Sequence, residues 1–237
     1  MMKSNSLLPA ALIFDMDGVL VDSNPFHIRK WEEFLHERGI PYNVQDLPKQ
    51  ILGSRNDTAL RAFFGPELRE GEIKRLSEEL EARFRSVFRP HAQPLPGLKA
   101  LIDECHAEAI PLAVASSAMT KNVDFVVDTL KLRPYFTSIV TGDDVSRPKP
   151  DPEIYLKTAE KLKLAPAKCV AFEDSFVGIE SAHRAGMKCV GIASTFPAED
   201  LWRQTQADLV VKGFEELSLA KLRQLFVTNE SELIRYR

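Results

Sequence analysis

The chain has 237 residues, 44% of them apolar and 27% charged, with a formal net charge of -3. That length suits one α/β domain, or a domain with a modest insertion, and carries enough apolar side chains for a sizeable core. Basic residues are dispersed among acids, which argues against a nucleic-acid-binding face, and no apolar run nears the ~20 residues that span a bilayer.

The N-terminal segment is interrupted by Pro9 and runs into Asp15. It reads as a first strand over residues 11–14 rather than a signal peptide, so a cytoplasmic location is expected. The next stretch, residues 24–94, shows helical periodicity and no strand pattern. Phe26, Ile28, Trp31, Phe34 and Leu35 form one amphipathic stripe, ended by Gly39. Ile73, Leu76, Leu80, Phe84 and Val87 form another within the charged segment 70–89. Pro90, Pro94, Pro96 and Gly97 then mark a boundary. The interval is expected to be an all-helical cap inserted after the first strand, placed to act as a lid.

Beyond it, strand-like runs at 112–115, 138–140, 168–172, 189–192 and 208–211 alternate with helical patterns at 98–108, 121–130, 152–162, 178–185 and 215–226. The strand runs are almost uniformly apolar, so both faces should be buried, as in parallel sheets. The expected fold is α/β: a doubly wound, mostly parallel Rossmann-like sheet built from residues 1–23 and 95–237. Cys105, Cys169 and Cys189 include no CxxC pair, and their odd number argues for buried core thiols over a disulfide framework.

Four polar clusters follow predicted strands. Asp15 and Asp17 leave the first strand at i and i+2, which points both carboxylates the same way, and Gly18 permits a tight turn. Ser116 and Ser117 follow the second strand, where hydroxyls and backbone N–H groups form a phosphate cradle. Lys149 lies between Pro148 and Pro150, which restrain the backbone around one cation. Glu173 and Asp174 are adjacent oxygen donors suited to a hard cation. Each cluster alone is compatible with ordinary capping or a solvated surface. In a parallel sheet, however, all four gather on one edge.

This set resembles the haloacid dehalogenase superfamily, whose four motifs read here as Asp15–Val19, Ser116, Lys149 and Glu173–Ser175. The resemblance covers nearly the whole chain and is closest to the β-phosphoglucomutase-like and sugar-phosphatase branch. It implies a Mg²⁺-dependent phosphoryl-transfer enzyme that forms an aspartyl phosphate on Asp15. Asp17 would act as general acid and base, and Ser116 and Lys149 would hold the phosphoryl group. Asp15, Asp17, Glu173 and Asp174 would form the metal site. The three acids Asp15, Glu173 and Asp174 with a phosphoryl dianion carry about -5, of which Mg²⁺ and Lys149 return about +3.

The likeness also assigns Ser117 to substrate, and Arg55 and His27 to substrate selection in the cap. The expected reaction is hydrolysis of a small phosphorylated metabolite, in particular a sugar phosphate, by a monomer without nucleic-acid or membrane partners. A β-phosphoglucomutase-type mutase is the alternative; His27, Arg55 and Thr58 fit its cap pattern. Against it, Leu80 stands between Glu79 and Glu81 where that pattern has a lysine, and the stretch from Gly53 to Arg55 is one residue short. A metal-free dehalogenase would not need Asp17 or the Glu173–Asp174 pair. A silent binding module would not need Asp15 and Asp17.

Overall fold

The computed structural model describes residues 9–53 and 55–226. Six strands form one sheet: β1 (Ala11–Phe14), β2 (Leu112–Ala115), β3 (Phe136–Val140), β4 (Cys169–Glu173), β5 (Lys188–Ile192) and β6 (Leu209–Val211). Their order is β3-β2-β1-β4-β5-β6, and every pair is parallel. β1 is therefore central, and all four of its residues are buried. Phe14 lies opposite Val114 on one side and Phe172 on the other. That register brings the residues following β1, β2 and β4 out at one level.

Between β1 and β2 come four helices: α1 (Asn24–Glu37), α2 (Leu47–Ile51), α3 (Asn56–Phe64) and α4 (Glu70–Phe88). Six more follow among the described residues: α5 (Leu98–Ala107), α6 (Thr120–Thr129), α7 (Glu153–Leu162), α8 (Phe176–Arg184), α9 (Ala198–Gln204) and α10 (Leu219–Gln224). Alternate β1 residues point to opposite faces. Leu12 and Phe14 join a core with α5, α6 and α10 residues such as Leu101, Val126 and Leu222. Ala11 and Ile13 join the other face with Tyr155, Ile179 and Leu201 from α7, α8 and α9. Phe14 stacks on Phe172 with ring centroids 4.8 Å apart. Each such fully buried side chain contributes roughly 1.5–3 kcal/mol by leaving water.

The cap has its own apolar interior, with Trp31, Phe34, Leu60, Leu76 and Leu80 at its centre. The chain enters and leaves it side by side, since Val21 bridges Pro94 and the Leu95 N–H donates to the Leu20 carbonyl at 3.0 Å. Two expectations need correction. The helix expected over 215–226 begins instead as a 3-10 turn at Phe214–Glu216, then breaks. Extended Ser218 restarts it, its hydroxyl accepting from the Lys221 N–H and capping α10. Helix α9 (Ala198–Gln204) is the second, since no helix is expected there, whereas α2 and α3 lie within the interval expected to be helical.

Candidate active site

Asp15 leaves the central strand at its C-terminal end, the crevice position of an open parallel sheet. Its backbone N–H continues the ladder to the Phe172 carbonyl at 3.0 Å, so the strand pairing fixes where its side chain begins. Lys149 Nζ donates to Asp15 Oδ1 at 2.7 Å, to Glu173 Oε1 at 2.6 Å and to the Ala115 carbonyl at 3.1 Å. One buried cation thus ties together the ends of β1, β2 and β4. Glu173 also accepts from the Tyr155 hydroxyl at 2.6 Å and from Ser175 Oγ at 3.3 Å. Its carboxylate is pressed against Gly178, where an added Cβ would meet Oε2 at 1.9 Å.

Asp174 accepts from Asn24 Nδ2 at 2.7 Å and from the Thr195 hydroxyl. Asn24 Nδ2 lies 2.6 Å from Thr195 Oγ1 as well. Gly18 sits at φ +75°, and a Cβ there would fall 2.0 Å from Asp174 Oδ2. Only glycine lets the β1 loop approach Asp174 this closely. Asp15, Glu173 and Asp174 each place a carboxylate oxygen within 4.8 Å of the others.

Electrostatics follow from this crowding. Burial, opposed by Lys149 and assisted by Glu173 and Asp17, raises Asp15 to about 7. Burial followed by Asp15 and Glu173 pushes Asp174 well up. Burial alone would lower Lys149, but Asp15 and Glu173 outweigh it and hold the ammonium charged. Asp17 behaves differently. Burial would raise it, yet His27 and Ser23 outweigh that and pull it below the usual carboxylate range. Ser23 Oγ donates to Asp17 Oδ1 at 2.5 Å, and His27 Nε2 lies 3.1 Å from the same oxygen.

Ser116 is buried, and its Oγ accepts from the Ala118 N–H at 3.1 Å, which leaves its own O–H to donate. The Ser117 hydroxyl instead donates to the Gly53 carbonyl of the cap at 3.0 Å. Arg55 is engaged by Asp57 at 2.8 Å and by the Val145 carbonyl at 3.1 Å. A cavity of about 340 Å³ is lined by Asp15, Asp17, His27, Arg55, Ser116 and Ser117, among others. Every site residue read from the sequence is accordingly at this crevice: six line the cavity, while Lys149, Glu173 and Asp174 form the buried cluster around Asp15.

The structure adds residues that the sequence did not single out. Tyr155, Asn24 and Thr195 hold the acidic cluster, as described. Behind the cavity wall, Lys30 Nζ donates to Glu81 Oε1 at 2.5 Å, and Asn56 Nδ2, on the wall with Glu81, donates to the same oxygen at 2.7 Å. Asn122 Nδ2 donates to Glu81 Oε2. Lys30 and Glu81 are 5% and 4% exposed. Their signal was a charge inside an apolar stripe: Lys30 follows Phe26 by one helical turn, and Glu81 sits three residues before Phe84.

A family model for haloacid dehalogenase-like hydrolases matches residues 12–192. The chain belongs to this family. A relative named phosphorylated carbohydrates phosphatase, from Thermotoga maritima, is 34% identical over 89% of this chain and 98% of its own. The chain spans 58% of a 28%-identical relative from Arabidopsis thaliana, the chloroplastic 5-amino-6-(5-phospho-D-ribitylamino)uracil phosphatase, and 93% of this chain is matched. A solved β-phosphoglucomutase from Clostridium difficile superposes with a TM-score of 0.81 at 25% identity, over 95% of this chain and 99% of that one. This haloacid dehalogenase-like hydrolase is thus an enzyme of phosphatase or phosphoryl-transferase type. No helix among its described residues is long and apolar enough to cross a membrane.

The acidic cluster of this hydrolase fits a hard divalent cation. Its donors are all carboxylate oxygens, and two of the three acids, Asp15 and Asp174, are driven upward by burial and by neighbouring carboxylates, which a cation would relieve.

Proposed function

We propose that this hydrolase is a Mg²⁺-dependent phosphatase that cleaves a small sugar phosphate through an aspartyl phosphate on Asp15. The observation that carries the reading is the Lys149–Asp15 contact at 2.7 Å at the floor of a cavity shared with Asp17. A permanently charged ammonium orients the nucleophile and offsets the charge of an approaching phosphoryl group. Asp15, Asp174 and the backbone carbonyl of Asp17 would hold the metal, with the Glu173 carboxylate of the same cluster assisting. When bound, Mg²⁺ supplies positive charge that favours ionised Asp15 and screens it from the phosphoryl dianion.

The protein's own groups divide the work as follows. Asp15 Oδ attacks phosphorus, the bond from phosphorus to the ester oxygen breaks, and Asp17 passes a proton to that departing oxygen. Asp17 then takes a proton from water as the water oxygen attacks phosphorus. Inorganic phosphate leaves and the Asp15 carboxylate is restored. His27, 3.1 Å from Asp17 Oδ1, relays protons to and from Asp17. Ser116 donates its free O–H to a phosphoryl oxygen. Glu173, with its oxygens already committed to Lys149, Tyr155 and Ser175, positions Lys149. In this reading residues 1–23 and 95–237 carry the chemistry, and the helices of 24–94 cover the cavity and select the substrate.

The cap favours water over a sugar hydroxyl as acceptor. Leu80 packs inside the cap's apolar interior, and the side chain turned to the cavity beside it is the acid Glu81. The test is phosphate release from a panel of sugar phosphates in the presence of Mg²⁺, with Asp15→Asn alongside. Release by the wild type and a loss of at least about 1,000-fold in the variant, with an unchanged melting temperature, are expected. An Asp15→Asn protein that retains activity would remove the nucleophile assignment. Isomerisation of a sugar phosphate without phosphate release would replace hydrolysis with mutase chemistry.

A further inference from the structure

The cavity of about 340 Å³ lies at the small end of ligand sites, which suits a metabolite of sugar-phosphate size. Its cap wall carries Asp57, Glu70 and Glu81 against Arg55 and Lys74. Position in the lining overstates the available positive charge. Arg55 is held by Asp57 at 2.8 Å and by the Val145 carbonyl at 3.1 Å. Lys30, next to the wall, is spent on Glu81. Lys74 is exposed, where its field is screened by water and salt. The phosphoryl end, by contrast, has buried Lys149 and the Ser116 hydroxyl.

The same wall offers good partners for hydroxyl groups. Asn56 gives one amide hydrogen to Glu81, and among the described residues its amide oxygen and second hydrogen take no bond. One donor and one acceptor on a single planar group suit a hydroxyl, which needs both. Glu81 receives Lys30, Asn56 and Asn122 and so holds the Asn56 amide in place. Trp31, buried and also in the lining, supplies an apolar surface for a carbon skeleton.

We infer that the cap wall reads the hydroxyls of a singly phosphorylated sugar or polyol through Asn56, and that Glu81 and Asp57 together bar a second phosphate. This deepens the phosphatase reading and rests on it. Discrimination comes from withheld attraction: Asp57 neutralises Arg55 and Glu81 neutralises Lys30, so a distal dianion at this wall would lose hydration without gaining an unpaired buried cation among the described residues.

The experiment uses the full chain with Mg²⁺ and three probes: p-nitrophenyl phosphate, glucose 1-phosphate as an example monophosphate within a broader hexose and pentose monophosphate panel, and the matching bisphosphates. For the best sugar monophosphate, kcat/KM should exceed that of its bisphosphate by at least about 100-fold. Asp57→Asn frees Arg55, and Glu81→Gln frees Lys30; each should narrow that gap by about tenfold, chiefly through bisphosphate turnover. Asn56→Ala should lower kcat/KM for the sugar monophosphate about tenfold more than for p-nitrophenyl phosphate, which has no hydroxyls to read. Should Glu81→Gln fail to fold, half-buried Asp57 at the start of α3 decides the charge argument alone. Equal turnover of mono- and bisphosphates overturns the inference while leaving the phosphatase reading intact. A uniform fall across all probes in the variants marks these residues as structural and overturns it too. No turnover of any probe, p-nitrophenyl phosphate included, overturns the phosphatase reading and the inference with it.

Discussion

His27 Nε2 stands 3.1 Å from Asp17 Oδ1 while the imidazole lies flat on Phe84, ring centroids 4.0 Å apart. The stacking fixes the ring plane and the hydrogen bond fixes its rotation, so the imidazole is set in one orientation toward Asp17. His27→Ala should therefore lower kcat by about 10- to 100-fold, with KM changed less than threefold, because proton handling is lost and phosphate holding is not. Steady-state kinetics check this. A defect confined to KM would instead make His27 a binding residue.

Lys149 neutralises two carboxylates that, among the described residues, pair with no other cation. Lys149→Met keeps the volume of the stem and leaves Asp15 and Glu173 facing each other across a buried gap. A loss on the order of 3–5 kcal/mol in stability is expected, together with loss of turnover. Urea unfolding measures the first and phosphate release the second. A variant of wild-type stability would mean that the acids are rescued by protonation.

Asn24 holds Asp174 from the first turn of α1, reaching from the cap helices into the sheet's acidic cluster. Chelation with EDTA should silence the enzyme and added Mg²⁺ should restore it. Asn24→Ala should weaken Mg²⁺ binding by about tenfold in titration calorimetry, since a ligand's hydrogen-bond partner orients it. Undiminished Mg²⁺ affinity would show that Thr195 suffices.

Acid should destabilise the protein through Glu81. Burial would raise this carboxyl, but Lys30, then His27 and the hydrogen bonds from Lys30 and Asn56, outweigh it and bring it from 4.5 down to about 2. The unfolded chain then binds the proton first as pH falls. The stabilisation is complete above about pH 4.5 and is lost between there and about pH 2, on the order of 3 kcal/mol in all. Unfolding free energies measured across that window should slope downward with acid, and Glu81→Gln should flatten the slope. An unaltered slope in Glu81→Gln would assign acid sensitivity to other groups.

The sheet and its polar edge were legible because the strand runs are almost uniformly apolar and those at 11–14, 112–115 and 168–172 give way abruptly to a charged or hydroxyl residue. Phe14 to Asp15 and Phe172 to Glu173 are such steps, and strand register turns them into neighbours. The short helices were hidden. α2 has five residues, too few to show a period, and α9 buries only Leu201. The Lys30–Glu81–Asn56–Asn122 group was hidden for a different reason. It draws on α1, α3, α4 and α6, and only tertiary packing brings those four together. Read along the chain, Lys30 and Glu81 are each a charge inside an apolar stripe, a sign of burial that names neither their partners nor the cavity.

Helix α4 belongs to two interiors at once. Its first half, through Leu76 and Leu80, fills the cap, whereas Phe84 and Phe88 sink into the apolar layer beneath the sheet. Neither half of the molecule can melt without stripping one end of this shared beam, so heat or urea should dismantle both in a single cooperative transition rather than two.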